Sequence, residues 1–267
     1  MSPSRQHAEK YLRFENDKSK GSIVGNRHYH SFFEIYYLDE GTCRYFIDSK
    51  CYDVEAGDIV LIPEGVIHHT TYQGGYHSRR LIYCSRSFIP TDVADKLPSL
   101  LYLYRCPSIA DSIREIFDVI DKEYSDPVEY SRGIIAARVE LLFFLLARNK
   151  NEYPNSSAGS EYVSAAIEYV KKNLGDSVKL SEAARAASVS PEHLSRTFKK
   201  ETGFGFSEYV TLLRLKKAES LLSGGSKLSI AEIAYACGFN DSNYFSERFK
   251  SSYGVSPKDY RREMLKS

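Results

Sequence analysis

The chain has 267 residues, 42% hydrophobic and 27% charged, which is enough for two domains with separate cores, and its net charge is only +1. No apolar run approaches 18 residues and Met1–Lys20 is polar throughout, so neither a membrane span nor a secretory leader is expected. Five cysteines (Cys43, Cys51, Cys84, Cys106 and Cys237) are odd in number and form no CxxC pair, which sets aside a disulfide scaffold and fits reduced, packed thiols in the cytoplasm. The charge is unevenly spread: residues 161–267 carry 17 Lys and Arg against 13 Asp and Glu, leaving 19 against 22 for residues 1–160. A basic C-terminal half beside an acidic N-terminal half suits a nucleic-acid-binding module joined to something that does not bind nucleic acid.

From Ile23 to about Ser85 the chain reads as short strands, at Phe33–Leu38, Cys43–Ile47, Ile59–Ile62 and Arg80–Tyr83. Turn signals stand between them at Asp39-Glu40-Gly41, Asp48-Ser49, Ala56-Gly57-Asp58 and Gln73-Gly74-Gly75. Closely spaced short strands predict a small antiparallel barrel. The run His28-x-His30, Glu34 and Gly41, followed by Gly57, Pro63, Gly65 and His68, resembles the two motifs of a cupin, with Tyr72 where the second motif carries Asn. His28, His30 and Glu34 share parity, so on one strand they face one way, into the barrel. With His68 they can form a three-nitrogen, one-carboxylate site for Zn, Mn, Fe or Ni. The same groups can instead hydrogen-bond an organic effector or one another. The effector is favoured here, with His28, His30, Glu34, Tyr36, His68 and Tyr72 as its candidate contacts and no metal or other cofactor. Eleven tyrosines in residues 1–104 add flat apolar faces with hydroxyls, which suit sugars and aromatic acids alike.

Two amphipathic stretches follow. Ser108–Tyr124 places Ile109, Ile113, Ile116, Phe117 and Ile120 at helical spacing, and Tyr130–Arg148 carries Ile134, Ile135, Val139, Leu141, Leu142, Phe144, Leu145 and Leu146. Asp126-Pro127 separates them and predicts an antiparallel pair. The second is apolar round more of its circumference than one packing contact needs, so part of it is expected to meet another subunit. Polar, loop-forming residues 151–160 read as a linker.

The C-terminal part holds a diverged repeat. At an offset of fifty, Glu182, Ala184 and Val189 pair with Glu232, Ala234 and Phe239; after one inserted residue Leu194, Phe198, Lys199, Gly203 and Tyr209 pair with Phe245, Phe249, Lys250, Gly254 and Tyr260. Each copy reads as a helix-turn-helix, at about 180–203 and 229–254. In the first, Ala183, Ala184 and Ala187 pack a short helix, Ser190 caps the next and Pro191 opens it. Leu194 and Phe198 face in; Glu192, Ser195, Arg196, Lys199 and Lys200 face out. In the second, Ile230, Ile233, Ala234 and Cys237 form the stripe, Gly238 ends it, and Asn240 or Asp241 caps the following helix. There Tyr244, Phe245, Arg248 and Phe249 are expected to pack, while Ser242, Asn243, Ser246, Glu247 and Lys250 are free to enter a major groove.

The run Ile230–Phe239, with Tyr244-Phe245, Phe249-Lys250, Gly254, Ser256-Pro257 and Tyr260-Arg261, resembles the AraC/XylS family of bacterial transcription regulators over about Tyr162–Lys266. That resemblance implies an α+β protein of two domains. An N-terminal cupin-like barrel (1–106) with a dimerising helical pair (107–150) would be joined by the linker (151–160) to an all-α domain (161–267) of seven helices. A long helix at about Ser207–Ser223 would join the two helix-turn-helix units. It implies a homodimeric, one-component regulator of double-stranded DNA without enzymatic activity, working with RNA polymerase where it activates. Likeness to the sugar-responsive branch makes a carbohydrate the leading effector. The rival readings are a metal-dependent cupin enzyme fused to a DNA-binding tail, and a metal or redox sensor using Cys43, Cys51 and Cys84. Within the DNA-binding set, Arg196 suits guanine, Asn243 adenine and Glu247 the cytosine amino group, and Lys199, Lys200 and Lys250 suit phosphates.

Overall fold

Strand β2, Phe33–Glu40, is buried on both faces over Phe33–Leu38, and this double burial organises the N-terminal part of the molecule. The computed structural model describes residues 11–20, 32–72, 74–94, 102–149 and 160–264. The described residues fall into two compact units, 11–149 and 160–264.

In the first unit β2 is joined by β1 (Leu12–Lys20), β3 (Thr42–Ile47), β4 (Lys50–Glu55), β5 (Ile59–Ile62), β6 (His68–Tyr72), β7 (Tyr76–Cys84) and β8 (Leu103–Tyr104). The expected antiparallel barrel takes the form of two sheets, one in the order β1-β7-β2-β5-β8 and the other β4-β3-β6, with every pairing antiparallel. Alternate residues of β2 serve two cores. Tyr36 and Leu38, with Val60, Ile62 and Leu81, meet Cys43, Tyr45, Ile47, Val54 and Tyr72 of the second sheet. Phe33, Ile35 and Tyr37, with Ile59, Leu61 and Ile82, face the helices.

The β3–β4 hairpin turns on Asp48 (φ 41°) and Ser49 (φ 83°), the left-handed pair whose twist matches that of the flanking strands. Gly41, between β2 and β3, has φ 93°, and a Cβ there would lie 2.7 Å from the Tyr76 carbonyl oxygen, so only glycine fits.

Helix α1 (Thr91–Ala94) is a single turn; α2 (Ala110–Ser125) and α3 (Ser131–Arg148) cover the large sheet. Their stripes, Ile113, Ile116, Phe117 and Ile120 on α2 and Ile135, Val139, Leu142, Phe143 and Leu146 on α3, are buried. The connection at Asp126-Pro127 is tied by Ser131, whose hydroxyl donates to Glu123 (2.5 Å) and accepts from the Val128 N–H (2.8 Å). On the far side of α3, Ile134, Leu141 and Phe144 stay 38–41% exposed. Of the linker expected at 151–160, residues 151–159 lie outside the described residues.

The second unit contains seven helices among the described residues: α4 (Glu161–Lys172), α5 (Leu180–Ala186), α6 (Pro191–Thr202), α7 (Phe206–Ser223), α8 (Ile230–Ala236), α9 (Ser242–Tyr253) and α10 (Pro257–Met264). Helices α4 to α6 pack together, as do α8 to α10, and α7 touches both groups. Phe198 of α6 meets Phe206 and Tyr209 of α7 edge-on at 5.5 and 5.4 Å, and Phe249 of α9 stacks on Tyr253 at 4.2 Å and meets Tyr260 at 5.4 Å.

Candidate functional site

Two turns built alike position the two outward-facing helices. In the first, the N–H groups of Ala187, Ser188 and Val189 donate to the carbonyls of Ala183, Arg185 and Ala184; in the second, Cys237, Gly238 and Phe239 donate to Ile233, Tyr235 and Ala234. Each bond in one copy has its counterpart fifty residues on. The left-handed position is Ser188 (φ 57°) in one turn and Gly238 (φ 88°) in the other. Ser190 caps α6 by accepting from the His193 N–H at 3.2 Å with Pro191 at the first helical position. Of the two cap candidates for α9, Asp241 is the one used, accepting from the Tyr244 N–H at 2.6 Å. Ser229 and Glu232 make a reciprocal capping box at the start of α8 (2.7 and 3.2 Å), and this also holds the Glu232 carboxyl below its ordinary pKa through its hydrogen bonds to Ser229.

On α6, Leu194 and Phe198 are fully buried while Glu192, Ser195, Arg196, Lys199 and Lys200 are exposed. On α9 the buried row is Phe245, Phe249 and Tyr253, spaced by four. Asn243, Glu247 and Lys250 are exposed; Ser242 and Ser246 are half-buried, with the Ser246 hydroxyl donating to the Ser242 carbonyl at 2.8 Å. The wider packing stripe expected for α9 is corrected here: Tyr244 is 50% exposed and Arg248 is exposed, so both join the outer face. A row spaced by four leaves its neighbours about 100° away, and the Arg248 guanidinium would be costly to bury. That charge was the signal available in the sequence.

A second constellation lies between the two sheets. Glu34 is 3% exposed; the Tyr45 hydroxyl donates to its Oε1 at 3.3 Å and His68 Nε2 lies 3.6 Å from its Oε2. His68 Nδ1–H donates to the Val66 carbonyl at 2.8 Å, which leaves Nε2 turned to Glu34. Burial disfavours the His68 imidazolium, but hydrogen bonding and charge from Glu34 more than offset it, and the His68 pKa is raised. Beside this pair a chain of groups runs from Asp17 through Arg79 (2.8 Å) to the Tyr72 hydroxyl (2.7 Å), the Tyr36 hydroxyl (3.0 Å) and Cys43 Sγ (3.5 Å). His77 stacks on Tyr72 at 3.9 Å between ring centroids. Burial pushes Tyr72 and Cys43 each up to about 12 and raises Tyr36 and Tyr45 above their ordinary value, so these hydroxyls and the thiol are neutral donors at physiological pH.

Glu34, Tyr36, His68 and Tyr72 therefore come together, whereas His28 and His30 lie outside the described residues. Tyr45 and Arg79 were not singled out as contacts from sequence, because the pairing that brings them here joins distant strands. Among the described residues no group of three or more His, Cys, Asp or Glu is placed to hold a metal. All five cysteines are buried and none is in a disulfide, and burial keeps the Cys84 thiol, like that of Cys43, from ionising near neutrality.

Two family models match the chain. One, described as an AraC-like ligand binding domain, matches residues 20–142; the other, a helix-turn-helix domain, matches residues 183–263. The chain belongs to the AraC family of transcription regulators. Within that family it is 28% identical over 244 residues to the Msm operon regulatory protein of Streptococcus mutans, covering 87% of this chain and 84% of that one. To the HTH-type transcriptional activator RhaS of Escherichia coli it is 25% identical over 247 residues, covering 88% and 86%. The solved C-terminal domain of AraT, a response regulator from Geobacillus stearothermophilus, is 39% identical, covers 40% of this chain and 88% of its own length, and has a TM-score of 0.38. As an AraC-family regulator the chain joins an effector-binding domain to a DNA-binding helix-turn-helix domain. Among the described residues no helix is long and apolar enough to cross a membrane.

Proposed function

We propose that a neutral, hydroxyl-rich effector, a carbohydrate, binds between the two sheets of the N-terminal unit and changes how a homodimer presents four helix-turn-helix units to DNA. The observation that carries this reading is the buried cluster in which Glu34 meets the Tyr45 hydroxyl and His68, with the neutral, mutually bonded hydroxyls of Tyr36 and Tyr72 beside them. The charge of Arg79 is already met by Asp17, so among the described residues of the cluster a neutral ligand is better matched than an organic acid. Glu34, Tyr36, His68 and Tyr72 contact the ligand together with His28 and His30. No metal and no enzymatic step is needed.

Residues 1–106 sense, 107–150 dimerise through the exposed side of α3, 151–160 link, and 161–267 read DNA in the cytoplasm. Helices α6 and α9 enter successive major grooves roughly one helical turn, about 34 Å, apart. Arg196, Asn243 and Glu247 read bases, Lys199, Lys200 and Lys250 hold phosphates, and Glu192, Ser195, Ser242 and Ser246 line the same surfaces. Likeness to RhaS, named an activator, favours recruitment of RNA polymerase.

The test is Glu34→Gln in the full chain. Calorimetry with a panel of neutral sugars and organic acids is expected to find a neutral sugar bound by the wild type and not by the variant, with unliganded DNA binding kept within about threefold, or under ~1 kcal/mol. One tightly held metal per chain, lost in the variant, would overturn the reading.

A further inference from the structure

The turn that follows α4, at residues 173–176, and the C-terminal end of α8 meet beside α7; α4 packs with the first helix-turn-helix unit, and α8 belongs to the second. A Cβ built on Gly238 would lie 2.5 Å from the Leu174 carbonyl oxygen, and one on Gly175 would lie 3.6 Å from the Ala236 carbonyl oxygen. The two units thus touch backbone to backbone, and Gly238 is required both for φ 88° and for this closeness. The last carbonyls of a helix and those of the turn after it carry partial negative charge, so the end of α8 and the turn after α4 repel at this distance unless cations lie between.

Helix α7 supplies two. Arg214 donates from Nε to the Leu174 carbonyl at 3.2 Å and from its terminal nitrogen to the Asp176 carbonyl at 2.7 Å, while its Nε lies 2.8 Å from where a Gly238 Cβ would be. Lys217, one turn on, donates to the Ala236 carbonyl at 2.9 Å. Lys217 neutralises the end of α8 and Arg214 the turn after α4, and neither lies on α6 or α9. The cations are spent on the protein's own backbone.

We propose that Arg214 and Lys217 latch the two helix-turn-helix units together and so fix the separation of α6 and α9, which makes them positioning residues for DNA reading. The inference rests on the reading that both helices enter DNA. Two units locked at one separation bind two half-sites as one body, with an affinity gain that vanishes when the DNA spacing does not match.

The test has one arm without DNA. Because all five native cysteines are buried, spin labels can be placed on Ser195→Cys and Asn243→Cys in the full chain, diluted with unlabelled protein. Pulsed dipolar spectroscopy is expected to give one narrow distance distribution, broadened in Arg214→Ala and in Lys217→Met and restored in Arg214→Lys. Where Arg214→Ala fails to fold, Lys217→Met carries the same test, since it removes one surface hydrogen bond. In the second arm, a two-half-site fragment selected from random DNA is lengthened by one base pair between the half-sites. The wild type is expected to lose about 10- to 100-fold in affinity and the variants less than about threefold. Wild-type distance distributions in the folded variants would overturn the latch. A wild type indifferent to the inserted base pair would overturn the two-groove reading instead.

Discussion

The exposed side of α3 gives a dimer prediction whose size follows from burial. Leu141 and Phe144 are 40% and 41% exposed, whereas Leu142 and Phe143, on the sheet side, are fully buried. Complete burial of such a side chain is worth roughly 1.5–3 kcal/mol, so covering the remaining two-fifths of one is worth about 1 kcal/mol. A two-fold interface counts each residue twice. Leu141→Ala should therefore weaken association by about 2 kcal/mol, roughly 30-fold in Kd, and Leu141→Ala with Phe144→Ala by about 1,000-fold. Folding of each protomer should be nearly untouched, in contrast to Leu142→Ala, which opens a cavity in the core and should cost about 2–5 kcal/mol of stability. Sedimentation equilibrium of the full chain measures the first quantity and urea unfolding the second. A double variant that associates as tightly as wild type would refute the assignment of this face to the dimer.

Arg196→Ala should cost about 1–3 kcal/mol on the cognate site and relax specificity at one position, while Lys250→Ala should weaken all sequences alike and reduce the salt slope by about one; equal loss on cognate and random DNA for Arg196→Ala would remove it from base reading. Alkaline pH should destabilise the N-terminal unit. Burial raises Cys43 to about 12 from an ordinary value of 9, so its contribution is fully present below pH 9 and is lost as pH rises toward 12. At pH 10 that thiol alone costs about 1.4 kcal/mol, a loss that Cys43→Ala should remove from the pH dependence of urea midpoints. In the native protein at pH 8, none of the five thiols should react promptly with a disulfide reagent; rapid reaction at Cys43, Cys51 or Cys84 would bring the redox reading forward.

The helix-turn-helix units were legible because caps, turn and buried row are local and each occurs twice, so errors in one copy are checked by the other. Even so, the aromatic Tyr244 beside Phe245 suggests a broader packing stripe on α9 than the fold buries. In the N-terminal unit β2, β3 and β5 announced themselves by apolar runs. Strand β1, Leu-Arg-Phe-Glu-Asn-Asp-Lys-Ser-Lys, did not, because among the described residues it is an edge strand paired only to β7 and buries little besides Phe14. Strand β6, His-His-Thr-Thr-Tyr, buries polar residues that no hydrophobic pattern marks. The same non-local pairing decides the polar cluster. Parity placed Glu34 inward, but only the alignment of β6 and β3 across from β2 brings His68 and Tyr45 to its carboxylate.

The central claim is that two helix-turn-helix units in each protomer read one operator together. Hydroxyl-radical footprinting of the full protein on fragments selected from random DNA tests it most directly. The expected result is protection of two major-groove segments per protomer on one side of the duplex, about one helical turn apart, with Arg196→Ala weakening both binding and base preference in one segment only. Protection of a single segment per protomer, or equal protection of selected and unselected DNA, would contradict it.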